Sequence, residues 1–224
     1  MKKINLLIVS IALIFSSCTD TATYKTPETE MEKVSYSLGV NMASSVKQQG
    51  METIDAQAVA KAFSDVFEEN DLDISEEESM TILQDFFGKM QAEKSAKANE
   101  AGNAYLAENG DKEGVITTES GLQYEVITSG DGAKPTTADQ VTVHYHGMLT
   151  DGTVFDSSVD RGQPATFGVT QVIKGWTEAL QLMSVGDKWK LTIPSGLAYG
   201  DQGAGGMIGP GATLVFEVEL IGIN

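Results

Sequence analysis

The chain has 224 residues, 41% of them hydrophobic, and carries 32 Asp plus Glu against 15 Lys plus Arg for a net charge of -17. That length accommodates one or two domains with an ordinary apolar core. Charge of that sign repels phosphate backbones and anionic headgroups, which excludes nucleic acid as a partner and makes the acidity a matter of solubility.

At the N-terminus, Lys2 and Lys3 precede an apolar run from Ile4 to Phe15 and the small residues Ser16 and Ser17. A basic head, a short apolar segment and small exit residues describe an export signal over residues 1–17. The run falls short of the roughly 20 apolar residues that a spanning helix needs. Cys18 is the only cysteine, so no intramolecular disulfide can form. Its place after Phe15-Ser16-Ser17 resembles a bacterial lipoprotein cleavage box, although Leu is commoner where Phe15 stands. The resemblance implies an exported lipoprotein, facing the periplasm or the cell surface. Acyl chains on Cys18 would hold it to a bacterial membrane at about 0.8 kcal/mol per buried methylene. The alternative is a signal peptide cut nearby that leaves Cys18 unlipidated. Residues 18–30, rich in Thr and Glu without apolar periodicity, read as a flexible tether.

Residues 31–110 follow a helical pattern. Val34, Leu38, Met42 and Val46 make one apolar stripe that stops near Gly50. Asp55 is placed to cap a second helix carrying Val59, Phe63, Val66 and Phe67. Ser75 and Glu78 form a capping-box pattern for a third helix that runs to Gly110. Met80, Leu83, Phe86, Phe87 and Met90 line its first turns. After Gln91 it is polar on every side until Tyr105 and Leu106, the composition of a helix bridging domains through solvent. Thirty-odd residues at 1.5 Å each span about 50 Å. Gly88 and Gly102 each cost such a helix about 1 kcal/mol relative to Ala. Three helices of this kind enclose little apolar surface. They need either a second copy of the chain or a monomeric three-helix bundle, and composition alone leaves the two even.

From Asp111 the period changes to that of strands. Leu122, Tyr124 and Val126 alternate, as do Val141, Val143 and Tyr145, then Trp189, Leu191 and Ile193, then Leu214, Phe216, Val218 and Leu220. Residues 164–167 make a further short strand. Gln171 to Met183 predicts a helix with Trp176, Leu180 and Met183 on one side. The fold class is α+β, an all-α N-terminal region with a long linker helix followed by an antiparallel sheet wrapped around one short α-helix. No Ser-His-Asp or Cys-His set, phosphate-cradling motif or metal-ligand cluster lies between Val141 and Phe216, so the chemistry expected there needs no nucleophile, metal or cofactor. His144 and His146 stand two apart with no companion ligand, which favours a structural role. The glycine-rich loop after Tyr199 leads to Pro210 and a strand rather than to a helix N-terminus, unlike a phosphate loop.

Five segments carry a family resemblance. They are Tyr145-x-Gly147, Asp151-Gly152-x-x-Phe155-Asp156-Ser157-Ser158, Val172-Ile173-x-Gly175-Trp176, Leu197-Ala198-Tyr199-Gly200 and Ile208-x-Pro210. In order and spacing they resemble an FKBP-type peptidyl-prolyl cis-trans isomerase domain, here over residues 111–224. The layout resembles the two-domain bacterial subgroup typified by macrophage infectivity potentiator. That resemblance implies rotation about Xaa-Pro bonds in unfolded or extracytoplasmic polypeptides, with chaperone activity. It also implies a homodimer through residues 31–90 and sensitivity to the macrolides FK506 and rapamycin. The alternative is a module that binds proline peptides without turning them over.

The resemblance further implies that Tyr145, Phe155, Val172, Ile173, Trp176, Tyr199, Ile208 and Phe216 line a proline pocket with Trp176 as its floor. The Tyr199 phenol and the Ile173 backbone N–H would donate to the bound peptide. Asp156 would act electrostatically at the edge. Arg161, the only arginine, is placed to pair with Asp156 and keep it ionised. Val143 and Leu214 read as ordinary core. Ala165, Ala204 and Gly209 are smaller than the family's usual residues there, which leaves sequence preference and macrolide affinity open. Cut at Gly110, residues 111–224 are expected to stay folded and active on small peptides.

Overall fold

In the computed structural model, residues 25–224 are described, so the signal segment and Cys18 lie outside the described residues. The chain divides into two compact units between Leu72 and Asp73. Among the described residues no helix is long and apolar enough to cross a membrane.

The first unit holds α1 (Glu30–Gln48) and α2 (Ala56–Phe67). Thr29 starts α1 with a reciprocal capping box. Its hydroxyl accepts the Glu32 N–H at 3.2 Å, while the Glu32 carboxylate accepts the Thr29 N–H at 2.8 Å. The Thr-x-x-Glu pattern was present in the sequence but sits in the stretch read as tether. Asp55 caps α2 as expected, accepting from Gln57 and Ala58 at 2.9 and 3.0 Å. Neither helix buries a single residue, and Leu38, Met42, Val66 and Phe67 lie open in the isolated chain.

The second unit opens with α3 (Glu76–Gly110), whose N-cap Ser75 accepts the Glu78 N–H at 3.2 Å. Glu76, Glu77 and Glu78 in the first turn favour the positive end of its dipole. The strands follow as β1 (Val115–Thr117), β2 (Gln123–Thr128), β3 (Gln140–Leu149), β4 (Val154–Ser157), β5 (Ala165–Gly168), β6 (Lys188–Ile193) and β7 (Leu214–Ile223), with α4 (Lys174–Leu182) between β5 and β6. They form one antiparallel sheet in the order β1-β2-β6-β7-β3-β4, with β5 also pairing β3. The ten residues of β3 explain that edge. Gln140 to Val143 pair with β5, and His146 to Met148 pair with β4.

The predicted alternation sets the core. Val141, Val143, Leu191, Ile193, Leu214, Val218 and Leu220 are all buried, and α4 lays Trp176, Ala179 and Leu180 against them, followed by Met183. Burying each such large side chain stabilises the fold by about 1.5–3 kcal/mol. Gly175 lets α4 approach closely, since a Cβ there would sit 2.5 Å from Ile193 Cγ2.

The expectation of a helix polar all round and bridging through solvent does not hold for the second half of α3. Ser95, Gly102 and Asn109 are buried, seven residues apart and so on one face. Asn109 donates to Gln123 Oε1 at 2.9 Å, and Gln123 donates to the Leu106 carbonyl at 2.8 Å. Gly102 lies against Thr213. Gln123, Thr192 and Thr213 are therefore buried under the helix. Hydropathy missed this seam because small and amide side chains make it, and each hydrogen bond contributes about 1 kcal/mol net.

Candidate active site

Strands β3 and β7 run side by side and bring Tyr145 and Phe216 to the concave face of the sheet. Gly147, paired with Phe216 on one side and Asp156 on the other, keeps room between them. A Cβ on Gly147 would stand 2.8 Å from the rings of both Phe155 and Phe216. No side chain fits there, so those two rings meet edge to face with centroids 5.4 Å apart.

A cavity of about 440 Å³ opens at this point, lined by Tyr145, Phe155, Asp156, Phe167, Gln171, Val172, Ile173, Trp176, Tyr199 and Phe216. Trp176, in the first turn of α4, is 4% exposed. Tyr145, Phe167 and Phe216 stand nearly perpendicular to its indole, at 83°, 90° and 78°, with centroids 5.3 to 5.9 Å away. Each edge-to-face pair adds about 0.5–1.5 kcal/mol, which makes the cup rigid. Val172 and Ile173 precede the helix. The predicted start at Gln171 is three residues early, because residues 171–173 form the cavity wall and α4 begins at Lys174. Ile173 is the N-cap with an extended backbone, and its carbonyl accepts from Trp176 and Thr177 at 3.0 Å each.

One predicted lining residue lies elsewhere. Ile208 belongs to a smaller cavity of about 250 Å³ that shares Phe155, Asp156 and Tyr199 and adds Ala204, Gly205 and Met207. The physical reason is a short hairpin. Ala204 and Ile208 exchange backbone hydrogen bonds of 2.8 and 3.0 Å, which folds the glycine-rich loop back on itself. Two wall residues escaped the sequence reading. Periodicity gives Phe167 only a strand and Gln171 only a helix. Alternation along β5 puts Phe167 on the face of Ala165, but nothing local tells that this face looks onto Trp176.

The polar edge is a three-membered cluster. The Tyr145 hydroxyl donates to Asp156 Oδ2 at 2.6 Å, and Arg161 Nη2 donates to the Tyr145 oxygen at 2.7 Å. Arg161 Nη1 pairs with Asp156 Oδ1, and the guanidinium lies over the Tyr145 ring. Burial pushes the Asp156 carboxyl up. The hydrogen bonds from Tyr145 and Arg161 outweigh it and hold the group below the usual carboxylate range. Burial and then the bond to Asp156 push the Tyr145 phenol up, so it stays a donor. The Arg161 and Asp156 side chains are 53% and 45% exposed, so solvent screens the pair and it adds little to stability. Its effect is to orient the carboxylate. Tyr199 is 40% exposed and lies on the rim shared by the two cavities. His144 and His146 are hydrogen-bonded to Ser158 and Ser157 at 3.0 and 2.9 Å, beside the site rather than in it.

Comparison with known proteins places two family matches end to end. Residues 31–126 match the domain amino-terminal to FKBP-type peptidyl-prolyl isomerase, and residues 132–221 match FKBP-type peptidyl-prolyl cis-trans isomerase. The chain is 41% identical to the outer membrane protein MIP of Legionella longbeachae over 100% of this chain and 98% of that protein. It is 46% identical to the FKBP-type 22 kDa peptidyl-prolyl cis-trans isomerase of Escherichia coli, over 91% and 98% of the two. Among solved structures, the crystal structure of FkpA from Escherichia coli aligns with a TM-score of 0.66 at 34% identity, covering 89% of this chain and 99% of that one.

Proposed function

Because this chain belongs to the FKBP-type peptidyl-prolyl cis-trans isomerases and catalyses rotation about Xaa-Pro bonds, we propose that the 440 Å³ cavity is where that rotation takes place. The uncatalysed barrier is about 18–20 kcal/mol, and the two isomers of an Xaa-Pro bond differ by only about 0.5–1 kcal/mol. Twisting the amide breaks its resonance and reduces its charge separation. Water favours the planar dipole, whereas an apolar cup favours the twisted form. Catalysis is then differential binding without bond breaking.

In this reading the pyrrolidine ring rests on Trp176 between Tyr145, Phe155 and Phe216, with Val172 beside it. The Ile173 N–H and the Tyr199 phenol donate to the peptide from the two sides. Asp156, kept ionised and oriented by Arg161 and Tyr145, stabilises the carbonyl carbon as it turns. The observation that carries the assignment is the set of rings standing perpendicular to a buried indole beside a charged carboxylate. Rates on a short Xaa-Pro peptide test it. Trp176→Leu lowers kcat/KM by at least about tenfold, a loss of roughly 1.4 kcal/mol of barrier lowering. A Trp176→Leu enzyme that stays folded and keeps full activity overturns the assignment, and a wild type that binds the peptide without turning it over makes the module non-catalytic.

We also infer a homodimer through residues 31–90. In support, α1 and α2 bury nothing in a single chain and Met80, Leu83 and Phe86 of α3 are exposed, an apolar area that a monomer in water does not leave open. Sedimentation as a monomer would defeat it. Two joined cups engage one unfolded client twice, which supports chaperone activity on exported polypeptides. Lipidation at Cys18 and a membrane location draw support from the sequence before Cys18 and from a relative named as an outer membrane protein. Mass analysis of the mature N-terminus checks the lipid. FK506 and rapamycin are expected to compete for the cavity, and failure of either to inhibit at saturation removes that expectation.

A further inference from the structure

The loop between β6 and β7 carries Tyr199; backbone bonds tie it within itself, at Ala204–Ile208 and from the Gly211 N–H to the Gly200 carbonyl at 2.9 Å. Gly200, Gly203, Gly205, Gly206 and Gly211 all adopt positive φ, the freest backbone in this part of the chain. Ala198 and Tyr199 lie between two short 3-10 turns, Ser195–Leu197 and Gly200–Gln202. Side chains of α3 (Glu76–Gly110) bond to both turns. Ser195 Oγ donates to Asn99 Oδ1 at 2.6 Å, four residues before Tyr199. Ser95 Oγ donates to Asp201 Oδ1 at 2.5 Å, and Gln91 Nε2 donates to the Asp201 carbonyl at 2.7 Å, two residues after it. Asn99 also donates to Ser95 Oγ at 3.2 Å, which ties the two anchors into one network. Ser95 is 4% exposed, and a Cβ on Gly211 would sit 2.5 Å from its carbonyl oxygen, so helix and loop are in close contact.

We propose that α3 is a splint for the catalytic rim, with Ser95 and Asn99 as positioning residues that act through Tyr199. The loop loses backbone entropy when it is held, and a side-chain anchor on each side of Tyr199 supplies that restraint before substrate arrives. A phenol that must donate to a bound peptide gains from being placed in advance, because misplacement by about 1 Å costs much of the rate. The inference rests on the reading of Tyr199 as a donor in the cavity.

Full-length variants assayed on a short Xaa-Pro peptide decide it. Ser95→Ala and Asn99→Ala are each expected to lower kcat/KM about three- to tenfold at temperatures well below unfolding. Asp201→Asn keeps an acceptor for Ser95 and retains most of the activity. Asn109→Ala breaks the same helix face away from the loop, and is expected to lose stability without losing kcat/KM. In a Tyr199→Phe background the Ser95→Ala change should add nothing, a non-additivity that a merely destabilising change does not produce. A fully active Tyr199→Phe removes the phenol from the site, and this inference with it. An impaired Tyr199→Phe beside fully active Ser95→Ala and Asn99→Ala overturns the splint alone, as does strict additivity of Ser95→Ala with Tyr199→Phe.

Discussion

Two glycines in one helix should respond to the same substitution with opposite signs. Gly88 and Gly102 both lie inside α3 (Glu76–Gly110), where Gly→Ala is worth about 0.8–1 kcal/mol from helix propensity. At Gly88 an added Cβ meets nothing within 4 Å. Gly88→Ala should therefore stabilise the chain by about 1 kcal/mol. At Gly102 the same methyl stands 2.3 Å from Thr213 Oγ1 and 3.2 Å from its Cβ, and Thr213 is itself 5% exposed. Either the threonine or the helix has to move, and overpacking of this kind costs about 1–3 kcal/mol. Propensity recovers about 1 kcal/mol of that, so Gly102→Ala should be destabilising by up to about 2 kcal/mol. For a unit of this size each kcal/mol moves the midpoint by about 2–4 °C, so the two variants should separate by roughly 4–8 °C around a 2 kcal/mol difference. Thermal or urea unfolding followed by the fluorescence of Trp176 and Trp189, both in the second unit, reads it directly. Thr213→Ala should relieve Gly102→Ala. A Gly102→Ala chain as stable as Gly88→Ala would refute the docking of α3 on the sheet.

Asp156 gives a pH prediction. Its folded pKa lies below the ordinary carboxylate value near 3.9, so its stabilising contribution is complete above that value and is lost only as pH falls through the lower folded one. The kcat/KM profile should accordingly stay flat from neutrality down to about pH 4. In Arg161→Ala, burial acts on Asp156 with less opposition and the acid limb should move to higher pH; an unmoved limb would deny the pairing its role. The chain cut at Gly110 loses Asn109, the Leu106 carbonyl and both loop anchors. Residues 111–224 should still fold, because the sheet and α4 carry the core, and should still turn over small peptides. They should melt lower and work more slowly than residues 73–224 measured side by side, and equal behaviour of the two would contradict the seam.

Much of this molecule can be read without coordinates, because its core obeys simple periods. Val141, Val143, Leu191, Leu214 and Val218 alternate as a two-sided sheet requires, and all are buried. Trp176 and Leu180 mark α4 in the same way, and Asp55 announces α2 by the chemistry of its side chain. The pairing of Asp156 with Arg161 was legible because a five-residue separation around a turn leaves one cation with one obvious partner. What failed to show was everything held by contacts that leave no hydropathic trace. Ser95, Gly102 and Asn109 look like solvent-facing residues, and only the approach of Asp201 and Thr213 from far along the chain, with Gln123 from the nearby β2, makes them an interface. Phe167 and Gln171 join the cavity, and Ile208 leaves it for the smaller one, for a similar reason: a wall is defined by which surfaces meet. Side-chain type and period act locally and so are written along the chain. The closeness of two segments a hundred residues apart is a property of the folded chain, and the tertiary structure alone decided it.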